Sequence, residues 1–272
     1  MTGGVDWLTV TCADRFRIEK AQELAFALTA VELSMGMYGK PWHQSGYDGF
    51  ACGHVQYGER TDGCIVRFGS ILAQAHWRRL YELADHVTRI DLQATFCMDE
   101  EANVVVHRHY KELARAQKKS RRPPKLSRLQ EHGGGYTVYT GRKISDVFGR
   151  IYNKGAQTKL LQDHGCVRYE VQFNGERARG VASDIVMRSL TNASLAATSL
   201  SFFAGRGVCL GKLPEQCSPY VFVKTSYPRR SNTDVDGSLK WLAACVGPTV
   251  SRLLNSGYLQ EVQSALKLHV VQ

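Results

Sequence analysis

The sequence predicts an α+β protein with a central antiparallel sheet and helices packed on one face. Several segments are rich in β-branched and aromatic residues, and some alternate strictly between polar and apolar side chains, which predicts strands. Other segments carry apolar residues at helical spacing. The connections between strands are too short for regular β-α-β units, which favours an antiparallel sheet over a parallel one.

In the first part of the chain, the clearest strand is 87–96, where polar Arg89 and Asp91 alternate with apolar Ile90 and Leu92. Such alternation indicates a strand with one buried face. The elements expected before it are a strand, a helix, a hairpin and a second helix, at 5–11, 21–35, 47–68 and 71–83.

After residue 96, the patterns predict further strands and a helix. A strand is expected at 104–110, followed by an exposed basic loop or helix end within 114–128. The remaining elements are strands at 136–141, 145–154 and 167–173, a helix at 178–197 interrupted near Thr191, a strand at 220–225 and a helical region at 238–268.

Composition narrows the class of protein. The 272 residues are 43% hydrophobic and 22% charged, which is typical of a folded globular chain and not of a disordered one. The formal net charge of +10 favours a polyanionic partner, with nucleic acid ahead of acidic lipid.

Cysteine usage and the amino terminus predict a cytoplasmic protein with reduced thiols. The eight cysteines form no CxxC pair and no cluster at zinc-ligand spacing. The first residues lack the basic and apolar regions of a secretory signal. Apolar stretches are far shorter than the ~20 residues of a membrane helix, so no membrane association is expected.

Three strand segments place ionisable residues two apart, which puts them on one strand face. The groups are Arg89 with Asp91, Arg150 with Tyr152 and Lys154, and Arg168 with Glu170. If the strands are neighbours, the paired carboxylates could hold Mg²⁺ or Mn²⁺, and the cations could stabilise a phosphate under attack by Tyr152. The alternative interpretation is a solvated sheet face with cross-strand ion pairs.

Residues 136–155, YTVYTGRKISDVFGRIYNKG, resemble the signature of the Rep_trans family of replication initiation factors. That signature is a T-x-Y-x-G-x-R-x-S-like hairpin followed by R-x-Y-[DN]-K. Segments 5–11, 88–92 and 167–170 are similar to the family's flanking strands, in the same order. One departure is Gly155-Ala156-Gln157, where many relatives carry an acidic residue.

The resemblance implies a replication initiator that nicks and rejoins one DNA strand and so starts rolling-circle replication. Tyr152 would form a covalent 5′-phosphotyrosine with Arg150 and Lys154 beside it, and Asp91 and Glu170 would hold the divalent metal. It also implies a catalytic nicking core over residues 1–175, with a helical or mixed part over 176–272 packed on the same domain. Phosphate contacts are expected from Arg142, Arg150, Lys154 and Arg168.

The basic run suggests a second type of DNA contact, which is independent of base sequence. Its candidate residues are Lys118, Lys119, Arg121 and Arg122. The alternative is a solvated loop. His107 and His109 would share one strand face, as metal-binding histidines do in related nucleases, although Arg108 between them departs from that pattern.

The partners implied are origin DNA, single-stranded or locally melted, and a host helicase, while a homodimer is left open. Two alternative functions remain at this point. A relaxase that mobilises DNA for conjugation would use the same chemistry. A non-catalytic DNA-binding regulator would have no need for Asp91, Tyr152 and Glu170 together.

Overall fold

The computed structural model describes residues 2–119, 126–142 and 145–210, which all fall in the compact unit Met1–Val223. The strand expected at 220–225 and the helical region at 238–268 lie outside these residues, as do Arg121 and Arg122 of the basic run. The division of the chain after residue 175 stays a prediction.

The described part of the chain forms one ten-stranded antiparallel sheet, which confirms the predicted fold class. The strands are β1 (Thr2–Cys12), β2 (Gly39–Gln44), β3 (Tyr47–Cys52), β4 (Val55–Arg60), β5 (Gly63–Gly69), β6 (His86–Cys97), β7 (Leu126–His132), β8 (Gly135–Thr140), β9 (Val147–Asn153) and β10 (Cys166–Asn174). Their order across the sheet is β2-β3-β4-β5-β1-β6-β10-β9-β8-β7. Strands β6, β10 and β9 are therefore adjacent, although 49 residues separate the last residue of β6 from the first of β9.

Helices pack against the apolar face of this sheet. They are α1 (Arg15–Ser34), α2 (Ser70–Leu83), α3 (Ala102–Lys119), α5 (Gly175–Met187) and α6 (Asn192–Ala204), whereas the short α4 (Lys154–Thr158) follows β9 and has no buried residue. Leu8, Ile90, Leu92 and Tyr169 on the sheet are fully buried. Because side chains alternate along a strand, the residues between them point to the opposite face, here called the open face.

The strand predicted at 104–110 is wrong, because these residues belong to α3. The β-branched run of valines suggested a strand. The buried residues of α3, however, are Ala102, Val105, Val106, His109 and Leu113, which recur at helical and not at strand spacing. In this segment the helical spacing of the buried residues therefore determines the structure, and the β propensity of the valines does not.

The expectation of reduced thiols is wrong for one pair, because Cys97 and Cys166 form a disulfide. The two residues are 69 positions apart in sequence but face each other in the β6–β10 register. Only the strand pairing brings them together, so their spacing in sequence gives no sign of it. Cys12, Cys52, Cys64 and Cys209 are free.

Two further predictions need adjustment in detail. The expected hairpin over 47–68 is a three-stranded meander, β3 to β5, and β2 extends it. The helix expected at 178–197 is divided into α5 and α6, because the Thr191 hydroxyl caps a new helix by accepting from the Ser194 amide at 3.2 Å. No helix in the described ranges is long and apolar enough to cross a bilayer.

Candidate active site

Strand register brings the main predicted site residues together on the open face. Arg168 of β10 lies opposite Tyr152 of β9, and Glu170 lies opposite Arg150. On the other side of β10, Gln172 pairs with Asp91 of β6. Directly opposed residues of antiparallel strands share a face, so three neighbouring strands contribute to one cluster.

Two buried carboxylates form the centre of this cluster. The Asp91 side chain is fully buried, and Glu170 is only 3% exposed. The Arg89 Nε donates to Oδ1 of Asp91 at 2.7 Å, and Nη2 of Arg150 donates to Oδ2 of Asp91 at 3.3 Å. The same Arg150 nitrogen also donates to Oε1 of Glu170. Both carboxylates therefore converge on one positively charged nitrogen.

Burial and neighbouring charges shift the pKa values of Asp91 and Glu170 in opposite directions. Burial raises the pKa of Asp91 to about 8, against the opposing effect of Arg89. Burial acts in the same direction on Glu170, but Arg150 and neighbouring cations outweigh it and hold the Glu170 pKa below its ordinary value. In this arrangement Asp91 carries a proton near neutral pH, whereas Glu170 is ionised.

The Tyr152 hydroxyl donates to Oε2 of Glu170 at 3.1 Å. Burial, followed by the negative charge of Glu170, raises the phenol pKa well above its ordinary value, whereas Arg168 and Arg150 oppose this effect. The phenol is therefore neutral at physiological pH. Tyr152 lines a cavity of about 240 Å³ together with Arg150, Tyr136 and Tyr139, which gives the site an opening large enough for a phosphate group.

Asp6 is a site residue that strand alternation does not identify. Its Oδ1 accepts from Nη1 of Arg168 at 2.8 Å, while Nε of Arg168 donates to Thr95 at 2.9 Å. The β1–β6 register shifts between Val5 and Trp7, and this irregularity allows Asp6 to reach the open face. Arg168, predicted as a phosphate contact, is thus held by protein partners in this structure.

Arg89, which the sequence groups with the cations available to a phosphate, is the ion-pair partner of Asp91 in the structure. Arg89 donates hydrogen bonds to Asp91 through two nitrogens, Nε to Oδ1 and Nη2 to Oδ2. The two-residue spacing on one strand face was a usable signal for this ion pair.

Two predicted cations lie away from the strand cluster. Lys154 does not continue the β9 alternation, because it begins α4, where its Nζ donates to Gln157 at 3.2 Å. It remains close enough for its pKa to respond to the site, since burial and the charge of Arg168 lower that pKa. Arg142 is exposed beyond the Thr140–Gly149 pair, whereas Tyr152 pairs with Thr137 at the other end of the ladder.

The expected strand pair of histidines is also wrong. His107 and His109 lie on α3, where residues two apart point in different directions. The His109 ring is buried, with Nδ1 2.9 Å from Glu112 and Nε2 2.8 Å from the Tyr169 hydroxyl. Tyr169 lies on the apolar face, opposite to Glu170. His109 therefore links α3 to the sheet and does not join the carboxylate cluster.

Fold and site together define an α+β protein with a carboxylate, arginine and tyrosine cluster on the open face of an antiparallel sheet. Residues 85–208 match the family model Rep_trans, described as replication initiation factor, which confirms the family resemblance over that segment. The segment contains Asp91, Tyr152 and Glu170. No curated protein matches the chain.

A solved structure with similarity to this chain is that of the rolling circle replication initiator protein from Geobacillus stearothermophilus. The sequence identity is 19% and the TM-score is 0.47. The alignment covers 76% of this chain and 96% of that one.

Proposed function

We propose that the chain is a replication initiator that nicks and rejoins one strand of origin DNA through a covalent 5′-phosphotyrosine on Tyr152. The observation that carries this proposal is the hydrogen bond from Tyr152 to Glu170 beside Arg150 and Arg168. A nucleophile needs an acceptor for its proton and cations for the charge that grows on phosphate. This cluster supplies both within one strand ladder.

In the cleavage step, Oη of Tyr152 forms a bond to phosphorus and the bond from phosphorus to the 3′ oxygen breaks. Glu170 accepts the phenol proton through the existing hydrogen bond. We assign the proton for the leaving 3′ oxygen to Lys154, which begins α4 two residues after Tyr152, and burial and the charge of Arg168, which lower its pKa, favour proton release. Rejoining is the reverse reaction, in which the 3′ hydroxyl attacks the phosphotyrosine.

The residues present fit a divalent metal at Asp91 and Glu170. Both carboxylates face Nη2 of Arg150, so a cation of higher charge has two oxygen ligands ready at that point. Nε of Arg150 is buried without a hydrogen-bond partner, so the arginine is incompletely satisfied where it lies. Within the described ranges no third acidic, histidine or cysteine ligand completes a cluster.

Two carboxylates are sufficient for Mg²⁺, which commonly keeps several waters and takes further ligands from substrate phosphates. When bound, such a metal polarises the scissile phosphate and offsets its developing negative charge. Asp91 would lose its proton on binding, and Arg150 would be released towards the phosphate. The proposed activity is therefore dependent on Mg²⁺ or Mn²⁺.

The test is conversion of supercoiled plasmid to open circles by the full chain, with and without Mg²⁺ or Mn²⁺. The plasmid carries the chain's own gene with its flanking DNA, and an unrelated plasmid of equal size is the control. Metal-dependent nicking of the first plasmid with a protein–DNA adduct on denaturing gels supports the proposal. Specific binding of this plasmid without nicking would support the alternative of a DNA-binding regulator. Nicking and strand transfer without initiation of replication would support the alternative of a relaxase.

A further inference from the structure

The open face continues from the candidate active site across β1 to β5, outside the family-matched segment except for Arg89. Arginine side chains on this part of the sheet lie over aromatic rings. The pairs are Arg89 over Trp7 at 5.0 Å, Arg67 over Trp42 at 5.0 Å and Arg60 over Tyr47 at 4.6 Å from the ring centroid. We use the term tryptophan strip for the set Trp7, Trp42, Arg67 and Arg89.

Each tryptophan ring lies across a glycine of another strand, Trp7 of β1 over Gly69 of the adjacent β5 and Trp42 of β2 over Gly58 of β4, two strands away. A Cβ atom on Gly69 would be 2.6 Å from Cζ3 of Trp7, and a Cβ on Gly58 would be 2.6 Å from Cζ3 of Trp42. The absence of a side chain at each glycine therefore allows the ring to rest against the sheet. Both rings are only partly buried, so they retain accessible surface.

The strip is connected to the active site by strand register. Trp7 pairs with Asp91, and Arg89 pairs with Thr9, which in turn pairs with Arg67. At a strand spacing of about 4.8 Å, the backbones of Arg89 and Arg67 are roughly 10 Å apart. Arg89 also donates to Asp91, so Arg89 belongs to both the tryptophan strip and the candidate active site.

Arg67 lacks an acidic partner among its hydrogen bonds in the described chain. Its Nη1 donates to the amide oxygens of Gln44 and Gln56, and its Nε is buried without a partner. Burial and the positive charge of Arg89 lower the Arg67 pKa. Two guanidinium groups that repel each other across one strand form a favourable place for an anion.

We propose that the tryptophan strip binds single-stranded DNA next to the scissile phosphate, with Arg67 and Arg89 turning from the rings to the backbone phosphate and bases stacking on Trp42 and Trp7 in their place. Partly exposed indole rings offer stacking surface to unpaired bases, whereas the bases of a duplex are already stacked on one another. The proposal rests on the proposed nicking function, because a nick at a melted origin requires one strand to be held. Apart from Arg89, it assigns this task to residues that precede the matched family segment.

The experiment measures binding of a short fluorescent oligo-dT to the full chain by anisotropy, without divalent metal so that no cleavage occurs. Trp42→Ala should weaken binding about tenfold, and Trp42→Phe should restore part of the loss because phenyl also stacks. Arg67→Gln should weaken binding and lower the salt slope by about 0.7. Arg79→Gln, an exposed arginine on α2, is the charge-matched control and should leave binding unchanged.

Gly58→Ala is a second way to disturb the strip, since it displaces the Trp42 ring without removing it, and the melting temperature of every variant verifies folding. Wild-type affinity in folded Trp42→Ala, Gly58→Ala and Arg67→Gln would overturn the proposal. An equal loss for duplex and single-stranded DNA would also overturn it. A wild-type chain that binds oligo-dT through the strip but never nicks would contradict the nicking function and leave the strip intact.

Discussion

The Tyr152 hydroxyl donates to Glu170 across the β9–β10 ladder at 3.1 Å, and this bond sets the state of the candidate nucleophile. Burial and the Glu170 charge raise the phenol pKa, so the resting side chain holds its proton. Glu170 is at the same time the acceptor that can take this proton when phosphate arrives. The resting phenol is therefore protonated, and its hydrogen bond already points at the carboxylate that would accept the proton.

Tyr152→Phe should abolish nicking and the covalent adduct while leaving the fold intact. The substitution keeps the ring and removes only the hydroxyl, so the expected loss of stability is about 1 kcal/mol, the value of one hydrogen bond. Plasmid conversion, denaturing gels and a denaturant titration measure these quantities. An adduct that persists in the variant, mapped to Tyr136, Tyr139 or Tyr169, would refute the assignment.

Asp91→Asn and Glu170→Gln should each reduce metal-dependent nicking to background and leave DNA binding within about twofold. The reason is that both substitutions retain the shape of the side chain but remove a negatively charged oxygen ligand. Isothermal titration with Mn²⁺ should show weakened metal binding in both variants. Strong nicking by the two variants would exclude these residues as metal ligands.

Asp91 also makes a pH-dependent contribution to stability in the metal-free protein. Its pKa rises on folding from 3.8 to about 8, so the folded state binds more protons between these values. Its contribution is therefore complete below the unfolded pKa and declines as pH rises through the folded pKa. Glu170 shifts in the opposite direction, so its contribution changes only below its ordinary value of 4.5.

Asp91→Asn removes this dependence. The melting temperature of the variant, relative to wild type and without divalent metal, should rise steadily between about pH 5 and pH 8. Thermal denaturation at matched ionic strength measures the difference. Added Mg²⁺ should stabilise only the wild type at the upper end of this range, and a difference that is flat with pH would contradict the raised Asp91 pKa.

The strand residues of the site could be predicted from sequence because alternation is a local property. The spacing of Arg150 with Tyr152 and of Arg168 with Glu170 assigned each pair to one face, and the structure has that arrangement. The position of Lys154 could not be predicted in this way, because β9 ends at Asn153, whose side chain accepts from the Ala156 amide and starts a helix.

The position of Asp6 in the site and the Cys97–Cys166 disulfide could not be predicted from the sequence for a different reason. The shift at Val5–Trp7 depends on how β1 pairs with β6, and the Cys97–Cys166 contact depends on how β6 pairs with β10. Pairings between strands distant in sequence are not encoded in the periodicity of either strand. The buried spacing of α3, in contrast, was present in the sequence and was outweighed by the β propensity of its valines.

Neutralising the basic run should weaken duplex binding without changing sequence preference. The residues to replace by glutamine are Lys118, Lys119, Arg121 and Arg122. Each lost phosphate contact should reduce the slope of log K against log salt by about 0.9. The matched control replaces an equal number of exposed cations on α1 and α2, namely Arg15, Lys20, Arg78 and Arg79. If the slope of log K against log salt did not change, the basic run would be a solvated loop without DNA contacts.

Gly149→Ala tests how tightly the strand that carries the nucleophile is packed. Gly149 lies on β9 next to Arg150, and a Cβ atom there would be 2.5 Å from Cε1 of Phe202 and 2.6 Å from Cγ2 of Thr140. The added methyl group must displace the aromatic ring of α6 or the strand itself, at a cost of about 1–3 kcal/mol.

We therefore expect Gly149→Ala to lower the free energy of unfolding by that amount in a denaturant titration. Nicking should decline more than oligo-dT binding, because a shift of β9 moves Tyr152 relative to Glu170. Gly39→Ala is the matched control, since no heavy atom lies within 4 Å of a Cβ at Gly39 and its backbone is not in the left-handed region. Equal stability of the two variants would contradict the close approach of α6 to β9.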